Sequence, residues 1–257
     1  MRFKNIVVVS SKGGVGKTVF VFHILSYLLR RKKFRIIEID DNNNSSLSFS
    51  QSNLLENRVT SCDVSQGFQK LEELVIENMF EDELITVIDS GGGNDSKKVI
   101  NSIIRQELTT NTLFIIPFLA DFSQISNLIE TVDLVKKYNY AVVINNINLS
   151  DKNDLMFIDG NDDFEIQSFK KIFDNFFIIE KTNLFSYSTS RYKTTIYDFA
   201  QRAFKFNQNE ILEFAKKETF GEKTAMLNIY RDWKISRLAK DYLLNSNIKL
   251  LEDYINE

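Results

Sequence analysis

The run VVVSSKGGVGKTVFVFHIL, residues 7–25, decides how the rest of the chain is read. It opens on β-branched apolar residues suited to a strand buried on both faces, crosses a turn containing Gly13, Gly14 and Gly16, and leaves through Lys17 and Thr18 into an apolar helical pattern. A glycine-rich turn between a buried strand and a helix gathers backbone N–H groups and the positive helix end around one point, an arrangement that holds a polyphosphate. In the P-loop pattern Lys17 reaches the β- and γ-phosphates, and the Thr18 hydroxyl coordinates Mg²⁺. The strict pattern has glycine at position 11, where this chain carries Ser11.

Working outward, short apolar runs recur at 5–10, 34–40, 84–90, 112–118, 140–146 and 176–180, with helix-like stretches at 17–33, 66–79, 96–109, 121–138 and 164–174. That alternation predicts an α/β P-loop NTPase fold: a mostly parallel twisted sheet with helices on both faces. Past residue 200 the pattern becomes helical. One domain over 1–257 is expected, a nucleotide-binding core over 1–200 followed by C-terminal helices over 201–257. The lone Pro117 is expected to end a strand, where a missing N–H does least harm. Of nine glycines, three fall in the loop at 13–16 and three at 91–93, which places two loops against the same ligand.

With 43% hydrophobic and 12% aromatic residues, the 257-residue chain can bury a large core. It has no apolar run near the ~18 residues that a membrane span requires, so a cytoplasmic location is expected. A single cysteine, Cys62, forms no internal disulfide and leaves metal chemistry to oxygen ligands. His23, among Phe20, Phe22, Ile24 and Leu25, reads as a packed histidine. The net charge of −3 hides an asymmetry, because residues 181–240 hold twelve Lys/Arg against six Asp/Glu.

KGGVGKT (12–17 and Thr18) resembles the deviant Walker A motif of the ParA/MinD partition and positioning ATPases. The resemblance implies that Ser11, Lys12, Gly13, Gly14, Val15, Gly16, Lys17, Thr18 and Val19 wrap ATP, and that Lys12 reaches the nucleotide of a second subunit in an ATP-dependent sandwich homodimer. EIDDNNN at 38–44 is similar to the family's second motif. It makes Asp40 the residue that activates water near Mg²⁺, although Glu38, Asp41 and Asn42 depart from the usual pattern. A polar turn with a helix cap is the other reading of this stretch. TVIDSGGG resembles Walker B, which makes Asp89 a Mg²⁺ ligand alongside Thr18 and Asp40. In VVINNI, Asn145 matches the residue that contacts adenine. FIIPFLADFSQ and TTIYDFA are looser echoes.

The same resemblance implies nonspecific double-stranded DNA binding by the ATP dimer, a nucleoid-associated state and a ParB-like activator protein. Arg191, Lys193, Arg202, Lys205, Lys216, Lys217, Lys223, Arg231, Lys234 and Arg237 are the candidate DNA contacts. Only Met1 and Arg2 precede the first strand, so no N-terminal operator-binding domain is expected. The closing residues KLLEDYINE carry acids that anionic lipid would repel, so no membrane partner is expected. The expected function is slow ATP hydrolysis that drives segregation of a plasmid, chromosome region or mobile element. The alternatives are a hydrolysis-deficient accessory switch in DNA transfer and a MinD-like positioning ATPase.

Overall fold

The computed structural model describes residues 2–39, 45–62, 69–81, 83–164 and 166–257. Among these residues seven strands are formed: β1 (Asn5–Val8), β2 (Phe34–Ile39), β3 (Val59–Cys62), β4 (Ile85–Asp89), β5 (Thr112–Leu119), β6 (Asn139–Ile147) and β7 (Phe176–Glu180). They pair in parallel throughout, in the order β3-β2-β4-β1-β5-β6-β7. Six coincide with the apolar runs. The unanticipated β3 is an edge strand whose Thr60 and Ser61 are exposed, so it lacks the hydrophobic signature of its neighbours. Pro117 lies inside β5 rather than at its end. It falls beyond Ile115, the last β5 residue in register with β1, and its register partner is Val143 of β6, so the missing N–H interrupts no β1 ladder.

The chain leaves β1 through a helix that is α-helical at Lys17–Val19 (α1), π-helical at Phe20–Leu25 and α-helical again at Ser26–Leu28 (α2). Further helices are α3 (Gln69–Met79), α4 (Asn94–Arg105), α5 (Ile125–Val135), α6 (Lys152–Asp159), α7 (Phe169–Ile172), α8 (Leu184–Tyr192) and α9 (Ile196–Lys205), then α10 (Gln208–Glu218), α11 (Lys223–Leu243) and α12 (Ser246–Asn256). The helix expected over 164–174 is reduced to the single turn α7. The chain instead bends at Gly160, at φ 83°, into an antiparallel bridge between Asn161 and Ile166.

Side chains alternate across the sheet and feed two cores. Ile6 and Val8 of β1 pack with Val87, Ile36 and the helix residues Phe20, Phe22 and Leu25 on one face. Val7 and Val9 pack with Ile88, Val99 and Leu128 on the other. The C-terminal helices join the first core through Ile196, Phe199, Ala239, Leu243, Ile248, Leu251 and Ile255. Phe22, fully buried, stacks on Phe49 at 4.7 Å. Truncation of such an aromatic to alanine removes contacts worth about 3–5 kcal/mol.

His23 sits in the π-helical stretch at 1% exposure, stacked on Phe185 with Phe49 edge-on. Its Nδ1 accepts the Ile196 N–H at 3.0 Å, which leaves the proton on Nε2, 3.0 Å from Thr189 Oγ1. A neutral ring therefore ties the first helix to both α8 and α9. Burial pushes the imidazole down from 6.5 to about 3. Because the folded value lies below the unfolded one, this contribution to stability is complete above pH 6.5 and is lost as pH falls from there toward 3. His23 is the chain's only histidine. Urea unfolding should therefore show about 1.4 kcal/mol of lost stability between pH 7.5 and 5.5 that His23→Gln does not show; equal pH dependence in the two proteins would mean that His23 is protonated in place.

Candidate functional site

Starting at β1, the chain goes out past β4 to β2 and β3, then returns to β4 before building β5 to β7 on the other side. Ligand crevices form at the carboxyl ends of strands where the order reverses in this way, and the glycine turn lies there. Gly14 (φ 78°) and Gly16 (φ 85°) hold left-handed backbone angles that other residues rarely adopt. Space is short as well. A Cβ on Gly16 would overlap Asn145 Nδ2, whose amide donates to Val15 O at 3.2 Å.

The second glycine cluster meets the first. A Cβ on Gly92 would stand 3.1 Å from Gly13 Cα and 3.2 Å from Gly13 N, so the loop after β4 lies directly on the P-loop backbone. Three serines tie the two loops together. Ser90 Oγ donates to Val8 O at 2.7 Å and lies 2.8 Å from Ser96 Oγ, which accepts the Ser10 N–H at 3.1 Å. On the other flank Ser11, where strict P-loops have glycine, donates its N–H to Thr131 Oγ1 and its hydroxyl to Asn127 O. The departure at position 11 thus anchors the loop to α5.

Lys17 is buried at 7% exposure, and its Nζ donates to Lys12 O at 3.4 Å, within the turn that would surround a phosphate. Lys12 is half-buried, and its N–H donates to Ser10 Oγ. Its charge reaches Asp121, whose exposed carboxyl is held below the ordinary range by hydrogen bonds from Ser123, with Lys12 adding to the effect.

Asp89 ends β4 at 3% exposure. Its register partner on β2 is Glu38, 2% exposed and bonded to Ser61 Oγ, so two buried carboxylates stand side by side on one sheet face. Asp40 lies outside the described residues, as do Asp41 and Asn42. Among the described residues no group of three or more His, Cys, Asp or Glu could hold a metal ion by itself. The Thr18 hydroxyl and the carboxylates are hard oxygen donors that fit Mg²⁺, which would draw its remaining ligands from phosphate oxygens and water.

Beyond Gly16 a cavity of about 550 Å³ opens, lined by Thr18, Val19, His23, Asn145, Glu180 and Phe185 among others. The strand end at Glu180 and helix α8 carry no motif in the sequence, and only the fold brings them here. Asp198 of TTIYDFA has a structural role. Its carboxylate accepts from the Ser52, Thr194 and Thr195 hydroxyls and from the Leu54 N–H, tying α9 to the segment after β2.

The ten basic candidates divide. Arg191 and Arg202 flank the buried Asp232 at 3.6 and 3.7 Å, and that carboxylate also accepts the Tyr187 hydroxyl. Lys193, Lys205, Lys216, Lys217, Lys223, Arg231, Lys234 and Arg237 are exposed and make no ion pair among the described residues, although Lys234 lies over Tyr230 and Arg237 over Trp233. No helix among the described residues is long and apolar enough to cross a membrane.

The family model described as CobQ/CobB/MinD/ParA nucleotide binding domain matches residues 6–176. Apo McdA from Cyanothece superposes with a TM-score of 0.53 at 16% identity, over 76% of this chain and 92% of that one. The MinD cell division protein of Aquifex aeolicus gives 0.51 at 18% identity, over 89% and 95%. An ATP complex of a Cyanothece McdA variant gives 0.50 at 15%, over 94% and 96%. At such identities the likeness is one of fold. No curated protein matches the chain by sequence.

The glycine-to-glycine contact generates a test away from the charged residues. Gly92→Val should force the P-loop backbone aside and weaken ATP binding by about tenfold or more in calorimetry, a loss of about 1.4 kcal/mol; unchanged affinity would mean that the two loops separate freely.

Proposed function

The chain belongs to the CobQ/CobB/MinD/ParA nucleotide-binding family, and from that premise we propose that it is a ParA-like ATPase whose ATP-bound dimer binds DNA without sequence preference. The observation that carries the reading is the Gly13–Gly92 contact, which joins the P-loop to the loop after Asp89 over the ends of β1 and β4. The backbone N–H groups of residues 13–18 cradle the phosphates, and Lys17 gives up its contact with Lys12 O to take a phosphate oxygen. Lys12 serves the partner subunit's nucleotide. Thr18 and Asp89 would hold Mg²⁺, which when bound neutralises charge on the phosphate oxygens.

Asp40 orients the attacking water, with a rate low enough for the dimer to persist until a ParB-like activator acts. The eight exposed cations without an ion pair, Lys193 at the end of α8 and seven on α9 to α11, form the DNA face, and each phosphate they neutralise steepens the salt dependence. The chain acts as a single nucleotide-operated unit, its C-terminal helices sharing a core with the P-loop helix. Such a device partitions a plasmid, chromosome region or mobile element.

Lys17→Ala should abolish ATP binding. Lys12→Ala should bind ATP yet remain monomeric in sedimentation, and a Lys12→Ala protein that dimerises with ATP would remove the case for a shared site. Using Asp40→Ala to hold the ATP state, random duplex DNA should bind only with ATP and weaken steeply with salt; Lys216→Ala/Lys217→Ala should lower that affinity more than Arg191→Ala. A confirmed ATP dimer that ignores DNA would leave the accessory-switch reading in place of partition.

A further inference from the structure

Glu180 closes β7 at the wall of the 550 Å³ cavity that also takes in Gly14 and Gly16. A carboxylate in a nucleotide pocket is repelled by phosphate, so its place there calls for a partner that donates hydrogen bonds. The surrounding structure has already oriented it. Asn245 and Asn247, at the junction of α11 and α12, both direct their amide nitrogens at Oε1, at 3.2 and 3.0 Å. Tyr242 donates its hydroxyl to the Glu180 backbone carbonyl at 2.7 Å. With Oε1 occupied twice, Oε2 has no hydrogen bond among the described residues and is the oxygen left to serve the cavity.

A second acceptor stands on the same wall. Asn145 gives one Nδ2 hydrogen to Val15 O, which leaves its Oδ1 as an acceptor beside the second N–H. Thr189, by contrast, is engaged with His23 and Phe185 O. Hydroxyls of Thr182, Ser186 and Ser190 also line the wall, but Glu180 is the charged acceptor among the described lining residues and so the strongest one offered to a base. A single carboxylate oxygen matches one exocyclic amine. Guanine presents two adjacent donors, which ask for both oxygens of a carboxylate, and one of those is already taken by asparagine amides.

We propose that Glu180 is a specificity-determining residue that reads the 6-amino group of an adenine through Oε2, held in position by Asn245 and Asn247. The inference rests on the nucleotide reading above and deepens it by naming what selects the base. Since the asparagines belong to the junction of α11 and α12, the same carboxylate connects the base to the helices that carry Arg231, Lys234 and Arg237.

The test compares binding of ATP, purine riboside triphosphate, which lacks the amine, and inosine triphosphate, which carries oxygen there, by calorimetry with Mg²⁺ on the full chain. The wild type should prefer ATP to either by roughly ten- to hundredfold, the effect of one hydrogen bond to a charged group. In Glu180→Gln the two asparagine amides should hold the new carbonyl oxygen and turn Nε2 to the cavity, so the order reverses and inosine triphosphate binds better than ATP. Glu180→Ala should erase the discrimination, and Asn247→Ala should reduce it. Variants that keep the wild-type order, or a wild type indifferent to the amine, overturn the role of Glu180 while leaving nucleotide binding intact. Failure of the wild type to bind any triphosphate overturns the underlying reading with it.

Discussion

The P-loop backbone has neighbours on three sides, with no room for a side chain at Gly16 of the turn or at Gly92 of the loop laid over it. Gly16 is pressed against the Asn145 amide, Gly13 lies under Gly92, and Ser11 is bonded to Asn127 and Thr131 of α5. A turn confined in this way is preorganised: its N–H groups need little reordering to meet an anion. The confinement also explains one member of the second glycine run, because a side chain at Gly92 would strike the P-loop at Gly13. Movement of either loop displaces the other.

The same constraint links chemistry to the periphery. The helix that starts at Lys17 changes to π geometry over Phe20–Leu25, and π segments often mark functional positions in helices. There His23 contacts α8 and α9 through opposite ring nitrogens. Glu180 makes a second connection, from the cavity wall to the junction of α11 and α12. The C-terminal helices are therefore joined to the cavity at two points, a buried one at His23, where hydrogen bonds are expensive to break, and a half-buried one at Glu180.

Charge on those helices is organised by one buried acid. Asp232, at 9% exposure, draws in Arg191, Arg202 and Tyr187, which offset the desolvation of its carboxylate. Those arginines, though half in solvent, are paired with Asp232, whereas Lys216, Lys217 and Lys223, at the turn between α10 and α11, are exposed with no ion pair among the described residues. A salt-sensitive surface built from the latter group works without disturbing the core.

Read alone, the sequence determined the strand–turn–helix at residues 5–18, the meeting of the two glycine clusters, the parallel α/β class and six of the seven strands. Buried parallel strands must be apolar along their whole length, and only glycine tolerates the turn's angles and approaches. The positions of Asp89 at the end of a buried strand and of Lys17 at the end of the turn were legible for the same local reason. The half-polar edge strand β3, the true place of Pro117 inside β5 and the shrinking of the helix at 164–174 were not, because each is set by a neighbour distant in sequence. Which of ten similar cations are spent on Asp232, and which acid of the chain stands in the cavity, were decided only when β7, α8 and α11 came together. A charge in the sequence carries no record of its partners, and desolvation, which assigns its role, exists only in the folded chain.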